Sequence, residues 1–216
     1  MRFETKQIIY AAFFPALLIL SMWIMLAMEW SFSLDWHHLG VFPRRISGMI
    51  GILTSPWIHS NAKHLFSNTV SLFVLGWCLF YFYKDLGYVV FSFIWVLSGI
   101  ITWCIARESW HIGASGLVYG LSFFLFFSGI FRKYIPLLAI SMLVVFLYGS
   151  TLWNMFPISE WIDDSVSWES HMSGAIGGLI CALIFRKYGP QKPDPFPDET
   201  DEPDPEDVEP DDEDHF

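Results

Sequence analysis

Six stretches of 16 to 26 residues without a single Asp, Glu, Lys or Arg punctuate this chain of 216 residues. A run of about 20 mostly apolar residues is what an α-helix needs to cross a bilayer. The stretches place spans at 7–28, 64–83, 86–106, 109–131, 134–157 and 169–186. The first is too long and apolar for a secretory signal, and no small-residue cleavage site follows it. Only 16% of the chain is charged and its mean hydropathy is +0.43. A soluble domain carries about 25% charged residues, so this one has too few to coat a globule in water. The pattern predicts an all-α, polytopic membrane protein whose membrane domain occupies residues 1–188. Residues 46–62 are also free of these charges but hold Gly48, Gly51, Pro56 and Asn61. Residues 30–63 are therefore read as a long interfacial loop, rich in the amphipathic aromatics that settle at headgroup level.

The net charge of −10 hides an uneven distribution. Residues 190–216 hold 13 of the 22 acids and a single base, Lys192, leaving the body at +2. A basic nucleic-acid binder is excluded. Residues 189–216, acidic and Pro-rich, cannot bury enough apolar area to offset ordering entropy and are expected to be a disordered tail. With the N-terminus inside, eight of the 12 Lys and Arg face inward and four outward, which puts both termini in the cytoplasm. Cys78, Cys104 and Cys181 fall inside spans, at no metal-ligand spacing, and read as small buried hydrophobes.

Polar groups at membrane depth cost free energy unless paired, so they mark candidate sites. Three clusters stand out. His59, His64 and Asn68 surround the start of the second span, with His64 and Asn68 one helical turn apart on one face. Gly113-Ala114-Ser115-Gly116 opens the fourth span, where glycines permit close backbone approach and helix-start N–H groups can hold an oxyanion. In the sixth span His171, Gly174 and Gly178 share one face, a smooth stripe below a histidine. The clusters complement one another. A serine hydroxyl is a poor nucleophile until a base takes its proton, and imidazole is the usual base. Ser115 and His171 make that pair. His64, Asn68 and the Ser115 amide would serve the oxyanion. Tyr119, four residues after Ser115, lies on the same face and would pack on the imidazole. Glu169 lies on a different face from His171, so no carboxylate orients the base. His111 competes for the role of base but is read as a solvated loop residue, and His37 and His38 as surface residues.

These motifs resemble those of the rhomboid family of intramembrane serine proteases across residues 8–187. The resemblance rests on H-x4-H-x3-N (His59, His64, Asn68), G-x-S-G (Gly113, Ser115, Gly116) and H-x2-G-x3-G (His171, Gly174, Gly178), each at the expected span. Gly76 and Tyr119 also match. Two features depart: Ile50-Gly51 stands where many members have Trp-Arg, and Phe80 lies where a Glu is often found. The resemblance implies a six-transmembrane-helix bundle in a bacterial inner membrane, with Ser115 as nucleophile and His171 as general base. His64, Asn68 and the Ser115 amide would bind the oxyanion. Transmembrane proteins would be the substrates, with no metal or cofactor. A catalytically idle membrane-client binder is the alternative, and a transporter would need an internal repeat that is absent.

Overall fold

The computed structural model describes residues 3–149, 156 and 167–193. Among them the chain is all-helical, with one isolated antiparallel bridge between Val41 and His111. The expected disorder of the tail concerns 194–216, which lies outside the described residues, as do 157–166 before the last helix.

Helix α1 runs Phe3–Phe32, and α2 is a single turn, Gly51–Thr54. They are followed by α3 (Ala62–Tyr83), α4 (Asp85–Ile105), α5 (Ser115–Arg132), α6 (Ile135–Tyr148) and α7 (Trp168–Ile184). Residues 5–32 of α1, together with α3, α4 and α5, are long and apolar enough to cross a membrane. The outward face of α1 carries Tyr10, Phe13, Leu17, Leu20 and Ile24, which a soluble protein would bury. The chain is an integral membrane protein built as a polytopic helical bundle. At 14 and 17 residues, α6 and α7 are shorter than the usual spanning length.

Two expectations about element boundaries change. The fourth helix starts at Ser115 rather than 109. Residues 109–113 are uncharged but not helical, because Gly113 has φ +101° and the loop's backbone bonds go to other segments. His111 exchanges both backbone hydrogen bonds with Val41, and Gly113 N–H donates to Ser55 O over 2.9 Å. The long first loop is not featureless either. α1 reaches Phe32, and short 3₁₀ turns at His37–Leu39, Ile46–Gly48 and Ser55–Trp57 flank α2.

The helix ends have identifiable local causes. Asn61 caps α3, its side-chain oxygen accepting the His64 N–H at 2.9 Å. Lys84, at φ +49°, breaks the chain between α3 and α4, and Asp85 then sits where a carboxylate favours a helix start. Lys133, in left-handed geometry, ends α5. Ser167 caps α7 by accepting the Ser170 N–H.

Packing centres on α5. Its Gly116–Gly120 edge meets the Gly174–Gly178 edge of α7 so closely that a Cβ on Gly174 would collide with Gly116 O, and one on Gly178 with Gly120 O. Only small residues permit such an approach. On the other side of the bundle α1 crosses α3 where a Cβ at Gly76 would lie 3.0 Å from Pro15 Cγ. α6 is tied to α5 by Ser141 Oγ, which donates to Phe126 O at 2.8 Å.

The bundle has two distinct ends. Gln7 Nε2 donates to Tyr81 O, and Arg132 Nη2 donates to Phe185 O, so the start of α1 and the ends of α3, α5 and α7 lie together. The opposite end gathers the starts of α3, α5 and α7 with the first loop.

Candidate active site

Ser115 is the first residue of α5, so its backbone N–H belongs to the set that a helix start leaves without an internal partner. His171 lies in the first turn of α7, one turn above the glycine contact. The close α5–α7 seam therefore brings two residues 56 positions apart into hydrogen-bonding reach: His171 Nε2 and Ser115 Oγ are 3.0 Å apart. Tyr119 stacks on the imidazole, with ring centroids 4.3 Å apart and planes 12° from parallel. His171 is 7% exposed and Ser115 half-buried, so the pair is sheltered without being sealed.

His64 and Asn68 face the same point from α3. A Cβ on Gly113 would lie 2.9 Å from His64 Nε2 and 3.7 Å from Asn68 Nδ2. Both donor atoms thus border the bare backbone two residues before Ser115. His64 is held from behind by Ser60, whose Oγ lies 3.4 Å from Nδ1.

His59 is buried behind Asn68, and its tautomer follows from its partners. Nδ1 lies 3.3 Å from Trp57 O, and a carbonyl can only accept, so Nδ1 carries the proton. Nε2 then accepts from Asn68 Nδ2 at 3.1 Å. One N–H of the Asn68 amide is anchored in this way, and among the described residues the other has no partner. Burial, and after it the neighbouring His64, push the pKa of His59 down from 6.5 to about 4. The ring is neutral, as the bond to Asn68 requires.

His111 does not behave as the sequence led us to expect. It is 2% exposed, with both ring nitrogens occupied. Nε2–H donates to Arg107 O at 3.0 Å, and Nδ1 accepts from Ser167 Oγ at 2.6 Å. Burial is the largest influence on this ring and lowers its pKa. A histidine so engaged has no nitrogen to offer Ser115. Glu169 is also buried, and it pairs with Arg107 at 3.6 Å. Sequence reasoning missed Ser167, Arg107, Ser60 and Ser55. Of these, only Ser167 leaves a sequence signal: a cap-type residue just before the His171 helix.

Two cavities adjoin these residues. One of about 30 Å³ lies behind Gly113 and Gly116, lined by Ser55, Ser98, Thr102 and Ser170, with room and polar partners for a water. The other, about 650 Å³ and open, is bordered by Glu29, Asp35, His59, Ser60 and Ile112, and gives solvent an approach from the loop side. Chemically, the arrangement joins a hydroxyl to an imidazole, beside two side-chain donors and a helix start.

Comparison with known proteins agrees with this picture. A family model described as Rhomboid domain matches residues 47–188. An uncharacterized protein of Mycobacterium tuberculosis is 33% identical over 152 residues, covering 68% of this chain and 63% of that protein. An uncharacterized protein of Mycobacterium leprae is 33% identical over 142 residues, 62% of this chain and 55% of its own length. A Bacillus subtilis protein provisionally named as a rhomboid protease is 24% identical over 167 residues, 71% of this chain and 80% of its own. The alignment thus spans less than two thirds of the mycobacterial relatives.

Proposed function

Because the chain belongs to the rhomboid family, we propose that it is an intramembrane serine endopeptidase, cutting peptide bonds in or near transmembrane segments of other membrane proteins. The observation that carries this reading is the 3.0 Å contact between Ser115 Oγ and His171 Nε2, roofed by Tyr119. In the proposed reaction a substrate helix unwinds locally to present a peptide carbonyl. Ser115 Oγ attacks the carbonyl carbon while His171 Nε2 takes the hydroxyl proton. The charge that develops on the carbonyl oxygen is met by His64 Nε2–H, the unanchored N–H of Asn68 and the Ser115 amide. His171 then gives its proton to the leaving amine. Water, with His171 again as base, cleaves the acyl ester and restores Ser115. The scheme uses no metal or cofactor.

Tyr119 fixes the ring plane of His171, a role that in many serine hydrolases falls to a carboxylate. Glu169 is committed to Arg107 and does not enter the scheme. The two cavities supply the water that hydrolysis consumes. In this reading the domain spans 1–188 and sits in a bacterial inner membrane with both termini cytoplasmic. Lys6, Lys84, Lys133, Arg186 and Lys187 then lie at the cytoplasmic end, remote from Ser115.

The test is labelling of the purified full chain with a serine-directed fluorophosphonate, together with cleavage of a transmembrane substrate. Labelling and cleavage that both vanish in Ser115→Ala support the proposal. A folded wild-type chain that neither labels nor cleaves overturns it in favour of a client-binding protein.

A further inference from the structure

We infer that His111 and Ser167 form a clamp that positions His171, joining the loop before Ser115 to the cap of the helix that carries the imidazole. The inference rests on the proteolytic reading above.

The bonds form a closed circuit. From Ser115 the chain runs back four residues to His111. Its Nδ1 accepts from Ser167 Oγ at 2.6 Å. Ser167 O accepts the backbone N–H of His171 at 3.3 Å. His171 Nε2 returns to Ser115 Oγ at 3.0 Å. Ser167 is thus engaged at both its side chain and its carbonyl, one partner on each side of the gap between hydroxyl and imidazole.

Donor chemistry makes the arrangement specific. Because Arg107 O can only accept, Nε2 of His111 must carry the proton. Nδ1 is then an acceptor, so the single hydroxyl proton of Ser167 goes to it, and Ser170 Oγ, 2.7 Å from Ser167 Oγ, donates back to Ser167. The His111 backbone is fixed as well, by two hydrogen bonds to Val41. A second tie runs in parallel: Arg107 pairs with Glu169 on the same turn of α7, and Arg107 N–H donates to Glu169 Oε1 at 3.4 Å.

The clamp has a mechanical reason. The glycine seam that locks α7 to α5 begins at Gly174, one turn below His171. The turn above it, Ser167–Ser170, is a helix start with N–H groups that lack internal partners, the part of a helix that opens first. A displacement of about 1 Å at a reacting group costs on the order of 100-fold in rate. His111 acts through Ser167 and touches no reacting atom, so it is a positioning residue.

Two conservative replacements separate its two bonds. His111→Asn puts an amide oxygen where Nδ1 stood and retains the acceptor for Ser167. His111→Gln puts an amide N–H where Nε2 stood and retains only the bond to Arg107. Each variant is compared in the full chain for the rate of Ser115 fluorophosphonate labelling, for kcat and KM on a transmembrane substrate, and for thermal midpoint. His111→Asn is expected to keep the wild-type labelling rate. His111→Gln, His111→Leu and Ser167→Ala should each lower labelling and kcat by about 10- to 100-fold with KM unchanged. The Ser167→Ala/His111→Leu double variant should lose less than the sum of the two singles, because the His111–Ser167 bond is common to both. Equal rates for Asn and Gln, or additive losses in the double variant, overturn the clamp. A wild-type chain that neither labels nor cleaves overturns the proteolytic reading instead. The clamp is then judged on thermal midpoints alone, supported by non-additive losses and overturned by additive ones.

Discussion

Helices α5 and α7 carry polar groups at both ends of their shared seam, and the two ends treat them in opposite ways. At the end remote from Ser115, Ser128 is fully buried and receives hydrogen bonds from Tyr83 OH at 2.7 Å and from Arg132 Nη1. Arg132 Nη2 goes on to bind Phe185 O at 2.6 Å and Tyr188 O at 2.7 Å, closing the C-terminal turn of α7. Thirteen residues earlier on the same helix, Ser115 is half-buried and meets one ring nitrogen, with a small cavity behind the neighbouring Gly113 and Gly116. Burial with hydrogen bonds to neighbouring side chains makes a polar group a structural fastener. Partial shelter with spare donors nearby leaves it available for chemistry. The same residue type on one helix takes both parts, and the surroundings decide which.

The sharpest way to break this contrast is to remove the reactive pair. Ser115→Ala and His171→Ala should each lower cleavage to about one ten-thousandth or less, with the thermal midpoint nearly unchanged. Turnover retained in the His171 variant would show that another group serves as base. Next in size is Asn68→Ala, expected to slow cleavage by roughly 10- to 1000-fold through loss of an oxyanion donor; unchanged kinetics would remove it from the site.

Acid should also find the reactive end first. His59 is neutral in the folded chain, with its pKa lowered from 6.5 to about 4. As pH falls from 6.5 toward 4, the unfolded chain takes up a proton that the folded chain refuses, so this residue's stabilising contribution is present above 6.5 and is lost on the way down. Near pH 4 Nε2 gains a proton and can no longer accept from Asn68. The thermal midpoint should therefore decline across the interval from 6.5, and the loss of cleavage due to this bond should set in only as pH nears 4. In His59→Asn this part of the midpoint's pH dependence should disappear.

At the fastened end the effects should reverse. Arg132→Met removes charged hydrogen bonds to Ser128, Phe185 and Tyr188 and should cost about 3 kcal/mol of stability, read as a lower thermal midpoint. Cleavage per folded molecule should stay the same at a permissive temperature; a selective loss of kcat would show that the two ends are coupled. Smallest of all is deletion of 190–216, which should leave cleavage in detergent unaltered.

Much of this contrast can be read from the sequence, and the reasons are physical. His171, Gly174 and Gly178 repeat at helical spacing, and so does Ser115 with Tyr119; local periodicity therefore shows which residues share a face. Placing the faces against each other required only that glycine edges seek close partners. The start of α5 was hidden because absence of charge says nothing about backbone conformation. Ser109–Gly113 are apolar enough to extend a span, yet their hydrogen bonds go to Val41 and Ser55, 70 and 58 positions before His111 and Gly113. The burial of His111 was hidden for the same reason. A loop histidine beside glycines looks solvated until tertiary contacts with Ser167 and Arg107 close over it.

Gly174 and Gly178 lie so close to the carbonyls of Gly116 and Gly120 that the seam has no room for a Cβ. A side chain of even one carbon at either glycine of α7 would drive the two helices apart. The main-chain mating sets where the two helices meet, and the contacts around Ser167 carry that placement up the last turn to the ring.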